Sequence, residues 1–497
     1  MLKIRDTIKE YGFDKARTFF LKYFEDAHSD PEKLKDWLSL FPEHLQAPIA
    51  DYQREILSLI PTSDRLAFGA PRGSGKSTLV SIPVLAYYAL YHISPFSLLV
   101  SDTSGQATLH LEGFRQEMES NVMIRYLFGN VRGSTWGAEK CIVKTQYGES
   151  LIMAKGAGQK IRGLKFRSAR PHLVVIDDLE NDEAVESYDR RTKLETWFRY
   201  NLMRGLHKEW NKVIYIGTVL HENALLKRIL DQQEEIFLGW ITRTYKAILE
   251  DGSSFWEGRF SIAYLTSIRD DPTHPEYAGS IVFAQEYQNE PRSEGDNIIR
   301  RKWIKTYSLD SKFPDAEKRE DWLKKCQKFA GIDPAVNTDE RKKSSNFAIT
   351  AFALDKEGHY WHLESEKGKL TIDQQIETAL KFYKRWDLDI MGVESVAYQE
   401  VLGYLIKKKG AELGIYPRIK KLRTDKDKVR RAVAVSSIWE GGFVHLNTDF
   451  DETSHFIEEA VAFPAEPNDV MDSSILAMEA IRKPKARTFK SKPKQFR

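Results

Sequence analysis

The stretch Gly69-Ala70-Pro71-Arg72-Gly73-Ser74-Gly75-Lys76-Ser77-Thr78 constrains this chain more than any other. It follows a short apolar run, Leu66-Ala67-Phe68, and precedes a helical segment. Strand, glycine-rich loop and helix in that order form a phosphate cradle: the glycines let backbone N–H groups close round an anion, and the helix N-terminus adds its positive dipole. On this reading Arg72, Gly73, Ser74, Gly75, Lys76, Ser77 and Thr78 line a nucleotide site, with Lys76 reaching the β- and γ-phosphates and the Ser77 hydroxyl ligating Mg²⁺. Ala70 stands where the first glycine of the usual spacing would be, so the loop is a variant. The bland alternative is a glycine-rich turn before a helix; the preceding strand and the Lys-Ser pair favour the cradle.

Such a loop needs a parallel α/β sheet, and the sequence supplies one. A first unit spans about 46–295, and within it, from about residue 50 to 230, short apolar runs alternate with helical stretches: Leu66–Phe68, Ser97–Val100, Leu151–Met153, Leu173–Ile176 and Val213–Ile216. Buried strands separated by helices imply a mainly parallel sheet. A lid or subdomain is expected from about 235. Residues 1–45 carry Leu21, Phe24, Leu34, Trp37, Leu38 and Leu40 at helical spacing. Residues 296–325 read as a linker or small subdomain. A second α/β unit spans 326–482: three consecutive strand candidates, then alternating helices and strands, the element order of an RNase H-like fold. The last stretch, Arg482–Arg497, holds eight Lys or Arg and no Asp or Glu. That basic tail (483–497) reads as a solvated end or as an arm that contacts DNA or protein.

Composition narrows the class. At roughly 150 residues per domain, a chain of 497 residues holds several domains. With 41% hydrophobic and 30% charged residues it is neither disordered nor collagen-like. The net charge of +3 points to no partner by itself. Two cysteines, Cys141 and Cys326, rule out a disulfide framework and a cysteine-based zinc site and suit a reducing cytosol. No apolar run approaches the ~18 residues of a membrane span, so a soluble intracellular protein is expected.

Further residues should complete the nucleotide site. Leu173-Val174-Val175-Ile176-Asp177-Asp178-Leu179-Glu180 is an apolar strand delivering a carboxylate to the Mg²⁺ shell. Asp177 is the metal-side acid, and either Asp178 or Glu180 polarises the attacking water. Paired acids at a strand end could instead begin a turn. Val213-Ile214-Tyr215-Ile216-Gly217-Thr218 is a third strand whose end, Thr218, would lie beside the nucleotide. Gln53, on a helical segment before the loop, has the donor and acceptor that suit an adenine edge, or is a solvent-exposed glutamine. Arg162, in Lys160-Ile161-Arg162-Gly163, could be offered to a neighbouring subunit's phosphates as an arginine finger; Arg167, Arg170 and Arg72 compete for that role.

The second unit carries acids where strands end and a helix begins. Asp333 follows Phe329–Ile332, Glu394 follows Ile390–Val393, and Asp469 and Asp472 open the helical run to Ile481, three apart and so on one face. Carboxylate oxygens suit Mg²⁺ or Mn²⁺, and two such ions can activate a water and stabilise the leaving oxygen of a phosphodiester. Each acid also has a plain reading: Asp333-Pro334 as a turn, Glu394 as a loop acid, Asp469 as a helix cap.

With both sites in view the chain resembles the large terminase subunit of tailed bacteriophages. The likeness runs from about Asp51 to Ile481. It is carried by Arg72-Gly73-Ser74-Gly75-Lys76-Ser77, Val175-Ile176-Asp177-Asp178, Ile216-Gly217-Thr218, Phe283-Ala284-Gln285-Glu286-Tyr287-Gln288-Asn289-Glu290-Pro291, and the acids Asp333, Glu394 and Asp469. The resemblance implies an ASCE-type ATPase that drives double-stranded DNA through a portal protein into a procapsid, and an RNase H-like nuclease that cuts concatemeric DNA. It implies ATP with Mg²⁺ at the first site and two Mg²⁺ or Mn²⁺ ions at the second. It also implies a small terminase subunit as partner, a ring typically of five subunits on the portal, no membrane, and residence in the bacterial host cytoplasm and transiently at the procapsid. Ala70 and Asp178 depart from the usual pattern. Two other classes share these residues: a non-viral helicase- or repair-type ATPase–nuclease, and a DNA-binding scaffold with decayed sites. The retention of Lys76, Asp177, Asp333 and Glu394 speaks against decay.

Overall fold

A computed structural model describes residues 7, 10–42, 48–181, 184–185, 187–291, 296–334, 346–394, 399–422 and 428–481. The basic tail lies outside these described residues. The chain forms two compact units, Met1–Glu294 and Gly295–Arg497. Among the described residues no helix is long and apolar enough to cross a membrane.

The first unit is built on strands β1 (Arg65–Gly69), β2 (Phe96–Ser101), β3 (Arg132–Trp136), β4 (Lys140–Thr145), β5 (Gly148–Gly156), β6 (Leu173–Asp177), β7 (Lys212–Gly217) and β8 (Ile241–Thr244). They form one sheet in the order β3-β4-β5-β2-β6-β7-β1-β8. The pairs from β5 to β8 are parallel, and β3 and β4 are antiparallel at one edge. β2, β6 and β7 are buried at every position, as strands covered on both faces must be, which is why they read as unbroken apolar runs. β7 stands between β1 and β6, so the loop after β1, Asp177 at the end of β6 and Thr218 after β7 emerge side by side at one edge of the sheet. N-terminal helices Phe13–Phe24 and Pro31–Trp37 cover this unit. Trp37 is fully buried against Tyr87 and donates its indole N–H to the Pro83 carbonyl at 2.8 Å.

The second unit adds β9 (Lys305–Tyr307), β10 (Gln327–Asp333), β11 (Phe347–Leu354), β12 (Tyr360–Gly368), β13 (Ile390–Glu394), β14 (Ile419–Leu422) and β15 (Val444–Asn447). The sheet order is β14-β13-β10-β11-β12-β15-β9. β10, β11 and β12 form an antiparallel meander, and β13 pairs parallel with β10. The segment 296–325, read from the sequence as a linker or small subdomain, belongs to this unit: β9 pairs in parallel with β15, and the helix Ala316–Lys325 leads into β10. Lys-Thr-Tyr is too short and too polar to announce a strand.

Helix Asp469–Ile481 lies directly on β10 and β13, and Gly331 makes this possible. A Cβ at Gly331 would stand 2.1 Å from the Ser473 carbonyl oxygen and 2.2 Å from the Ala477 nitrogen, both backbone atoms that cannot step aside. Gly331→Ala should therefore lift the helix and destabilise the second unit by about 3 kcal/mol or more, read as a fall in its urea midpoint. Gly403→Ala, whose new methyl would meet only Ile419 at an ordinary 3.6 Å, should be neutral or mildly stabilising in its helix.

Candidate functional site

In the first unit the loop turns through Gly73 and Gly75 at φ +73° and +76°, conformations that L side chains rarely adopt. The Ser74 side chain is fully buried, and its hydroxyl has no hydrogen-bond partner among the described residues. An unpartnered buried polar atom inside a glycine cradle fits a phosphate-binding loop. Lys76 is 6% exposed, donates to Thr218 Oγ1 at 2.9 Å and lies 3.4 Å from Asp178 Oδ2. Ser77 donates to Asp177 Oδ1 at 2.8 Å, and Ser81, one turn on, donates to Asp177 Oδ2 at 2.9 Å. Thr78 is partly buried in the first turn of the helix. Burial, and next the neighbouring Asp178, push the Asp177 carboxyl above the ordinary range; His110 and the two hydroxyls pull it back. A buried acid left with that excess of negative potential suits a Mg²⁺ shell.

The two candidates for the water-polarising acid are placed differently. Asp178 sits at φ +45° with its side chain 45% exposed, and its Oδ1 accepts from the Thr218 N–H at 3.1 Å. Glu180 is buried, and both its oxygens are taken: Oε1 accepts from Leu225 N–H at 2.8 Å, and Oε2 from Leu226 N–H at 2.9 Å and the Tyr215 hydroxyl at 3.1 Å. Glu180 thus closes the start of helix Leu225–Leu230, and burial raises its carboxyl despite those donors. Gln53 is also buried. Its Oε1 accepts from the Ala50 N–H at 3.1 Å, and its amide nitrogen faces the Ser74 carbonyl at 3.4 Å, beside the Tyr52 hydroxyl that donates to the same oxygen. Gln53 therefore braces the loop from behind, contrary to its reading as a solvent-exposed glutamine. Arg162 is exposed in the loop between β5 and β6, next to buried Ile161, and is not among the residues lining the nucleotide cavity.

In the second unit β10 and β13 run parallel with Ile332 opposite Val393, so Asp333 and Glu394 leave the sheet at the same end. The helix that Gly331 admits brings Asp469 and Asp472 over them. Asp469 is not the cap of its helix: Glu459 accepts the Val470 and Met471 N–H groups at 2.8 and 3.3 Å. The Asp469 carboxylate is free to turn to Lys367 at 2.7 Å and Asn346 at 3.0 Å. Glu394 lies 3.3 Å from the Arg431 guanidinium, and Asp472, 3% exposed, pairs with Lys428. Burial first, then Asp472, raise the Asp333 carboxyl to about 8; Glu394 and Asp469 add to this and Lys428 opposes it.

Among the described residues no three His, Cys, Asp or Glu side chains are arranged to hold a metal ion, since three of these four acids are turned to cationic side chains. The donor set nevertheless suits a hard cation. Asp472 Oδ1 is buried with no hydrogen-bond partner among the described residues, and Asp333 is buried beside Asp472, Glu394 and Asp469 with Lys428 opposing them.

No protein-family model and no curated protein matches the sequence. Solved structures do. The large terminase of the thermophilic bacteriophage D6E in complex with ATP-γ-S superposes with a TM-score of 0.54 at 10% identity, covering 87% of this chain and 99% of that one. The same protein in complex with ADP gives 0.53 at 11% identity, covering 86% and 98%. A further crystal of it gives 0.51 at 11%, again covering 86% and 98%. The chain has the large-terminase fold.

Within this large-terminase fold, the cavity of about 310 Å³ beside the glycine loop is also lined by Asp102, Gln106, His110, Asn181 and Glu286, which the sequence did not single out as site residues. His110 Nε2 stands 3.7 Å from Asp177 Oδ2, and Asn181 donates to Asp102 Oδ2 at 3.2 Å. The signal available was the recognised strand Ser97–Val100, whose neighbour in the sheet is β6: the residues just after it must emerge beside Asp177.

The phrase Phe283–Pro291 also acquires a physical meaning. Glu286 accepts the Arg72 N–H on its carbonyl at 2.9 Å and the Arg72 guanidinium on its carboxylate at 2.5 Å. Gln285 donates to the Leu220 carbonyl at 2.8 Å. Asn289 accepts from the Val219 N–H at 2.8 Å and donates to the Tyr245 carbonyl at 2.7 Å. The helix Gly279–Gln288 is thus clasped to the phosphate loop and to the chain after Thr218.

Proposed function

We propose that this chain is a viral DNA-packaging motor that couples ATP hydrolysis to translocation of double-stranded DNA into a procapsid through a portal protein, and that it also cuts concatemeric DNA. The observation that carries the reading is the pairing, in one chain of large-terminase fold, of the Lys76–Asp177–Thr218 phosphate site with the Asp333–Glu394–Asp469–Asp472 cluster on a second sheet. The likeness to a terminase solved with ATP-γ-S supports the nucleotide half.

In the first site, the loop N–H groups and Lys76 would hold the β- and γ-phosphates of ATP, and Ser77 and Asp177 would hold Mg²⁺. Asp178 is the acid that takes the proton of the attacking water: both acids line the cavity, but both Glu180 oxygens are committed to Leu225, Leu226 and Tyr215. Thr218, bonded to Lys76, reports the state of the γ-phosphate. Arg162, outside the cavity of its own subunit, is offered to the next subunit of a ring, which we take to be a pentamer on the portal. Asp178→Asn should lower ATP turnover by about 10²–10⁴-fold. Glu180→Gln should keep most turnover and lower stability by about 1–3 kcal/mol. Phosphate release and thermal unfolding on the same preparations separate the two, and the reverse pattern would reassign the base.

In the second site, Asp333, Glu394, Asp469 and Asp472 would hold Mg²⁺ or Mn²⁺. Divalent ions bound there would supply an activated water and charge stabilisation for the leaving oxygen of a phosphodiester. The protein acts in the host cytoplasm and transiently at the procapsid, guided to DNA by a small terminase subunit. The test is a packaging assay: purified chain, portal-bearing procapsids of its phage, linear duplex DNA and ATP should yield DNA protected from added nuclease. Robust ATP turnover and cutting with no portal-dependent protection would favour a non-viral ATPase–nuclease.

A further inference from the structure

The acidic cluster of the second unit carries its own cations. Lys367, Lys428 and Arg431 stand among Asp333, Glu394, Asp469 and Asp472, three positive charges against four carboxylates. The three are not alike. Arg431 is 4% exposed and sits one turn into the helix Lys428–Glu440, and its Nε and Nη1 have no hydrogen-bond partner among the described residues. A buried guanidinium on a packed helix is a fixed charge. Lys367 is shared between Asp469 and Glu459, and Glu459 itself holds the start of the helix, so it too is anchored.

Lys428 differs on each count. It opens its helix, its side chain is 50% exposed, and its ammonium ends a flexible four-carbon stem. It contacts Asp472, the acid whose other oxygen is buried and unpartnered. One ammonium therefore satisfies half of a buried carboxylate, where a divalent ion could engage the cluster with twice the charge.

From this arrangement we propose that the Lys428 ammonium is a resident counter-ion that holds one cation place in the acidic cluster and has to swing out before a divalent ion binds, so that metal supply gates the cutting activity. The proposal rests on the nuclease reading of the same cluster. The ammonium partly neutralises the empty cluster, and it sets a threshold: the ion competes with a tethered charge as well as with water.

The test uses the full chain and Mn²⁺ alone, with free Mn²⁺ followed by its paramagnetic resonance and Asp333→Asn as the blank for the first unit. Lys428→Met, of similar length and no charge, should bind Mn²⁺ about tenfold more tightly than wild type, and Lys428→Gln should shift the same way. Lys428→Arg should bind no more tightly than wild type. The Mn²⁺ concentration giving half-maximal plasmid cutting should fall in parallel for Lys428→Met. Unchanged or weaker Mn²⁺ affinity in folded Lys428→Met and Lys428→Gln would overturn the counter-ion role and leave the nuclease reading intact. No binding above the Asp333→Asn blank in any of these proteins would overturn both.

Discussion

Lys76→Ala should abolish ATP hydrolysis and leave metal-dependent plasmid cutting close to wild type. The Lys76 ammonium is the buried positive charge aimed into the phosphate cavity. It is held there by Thr218 at 2.9 Å, with Asp178 close by at 3.4 Å. Removing it takes away charge stabilisation of the transferred phosphoryl group and leaves Asp178 without its nearest counter-charge. Loss of one preorganised electrostatic contact of this kind lowers turnover by about 10²–10³-fold, and loss of a full charge does at least as much. The proposed cutting centre lies in the other unit, on a different sheet and a different set of acids. Phosphate release and plasmid digestion measured side by side check both halves. Loss of both activities in a mutant that still unfolds cooperatively would count against two independent centres.

The second large effect is the converse. Asp333→Asn should stop cutting while ATP turnover persists. Removing a ligand that helps position divalent ions forfeits several kcal/mol of transition-state stabilisation, which corresponds to about 10³-fold or more in rate. The change should not unfold the protein, and the sign of the Asp333 shift says why. Its folded carboxyl is raised to about 8, against about 3.9 in an unfolded chain. An acid raised in this way favours folding while protonated. That contribution is complete below the unfolded value and fades as pH climbs through the folded one. Asparagine keeps the neutral shape at every pH. In chelator, Asp333→Asn should match wild type near pH 4 and exceed it in urea midpoint near pH 8.5. A mutant less stable than wild type at pH 8.5 would mean that the carboxylate is compensated by groups other than a metal.

Much of this architecture was legible because the chemistry sits where apolar runs stop. Leu66–Phe68, Leu173–Ile176, Val213–Ile216, Phe329–Ile332 and Ile390–Val393 are each strands, and a phosphate-loop residue, an acid or Thr218 follows each one. What escaped was short, polar or half-exposed: β15, four largely buried residues, lies where only helices were expected after Leu422. β3, with no fully buried position, and β8, half exposed, lack the unbroken burial that makes a parallel strand visible. β9 is three residues of an edge. Partners set by the third dimension escaped as well: the hold of Glu180 on a helix start, the place of Gln53 behind the loop, and Lys367, Lys428 and Arg431 among the acids. A carboxylate reads the same in a sequence whether it faces water, an N–H group or a cation, and only packing decides between them.

The clasp formed by Arg72, Gln285, Glu286 and Asn289 has a mechanical meaning. It joins the glycine loop, through Arg72 and Glu286, and the chain after Thr218, through Gln285 and Asn289, to the last helix of the first unit, so these pieces are tied together. On the proposed function, a rearrangement of that loop on loss of a phosphate would pull on residues 285–289, just before the chain passes into the second unit. The first unit thus contains a short lever, with its fulcrum at the glycine loop and its free end where the chain leaves the first unit.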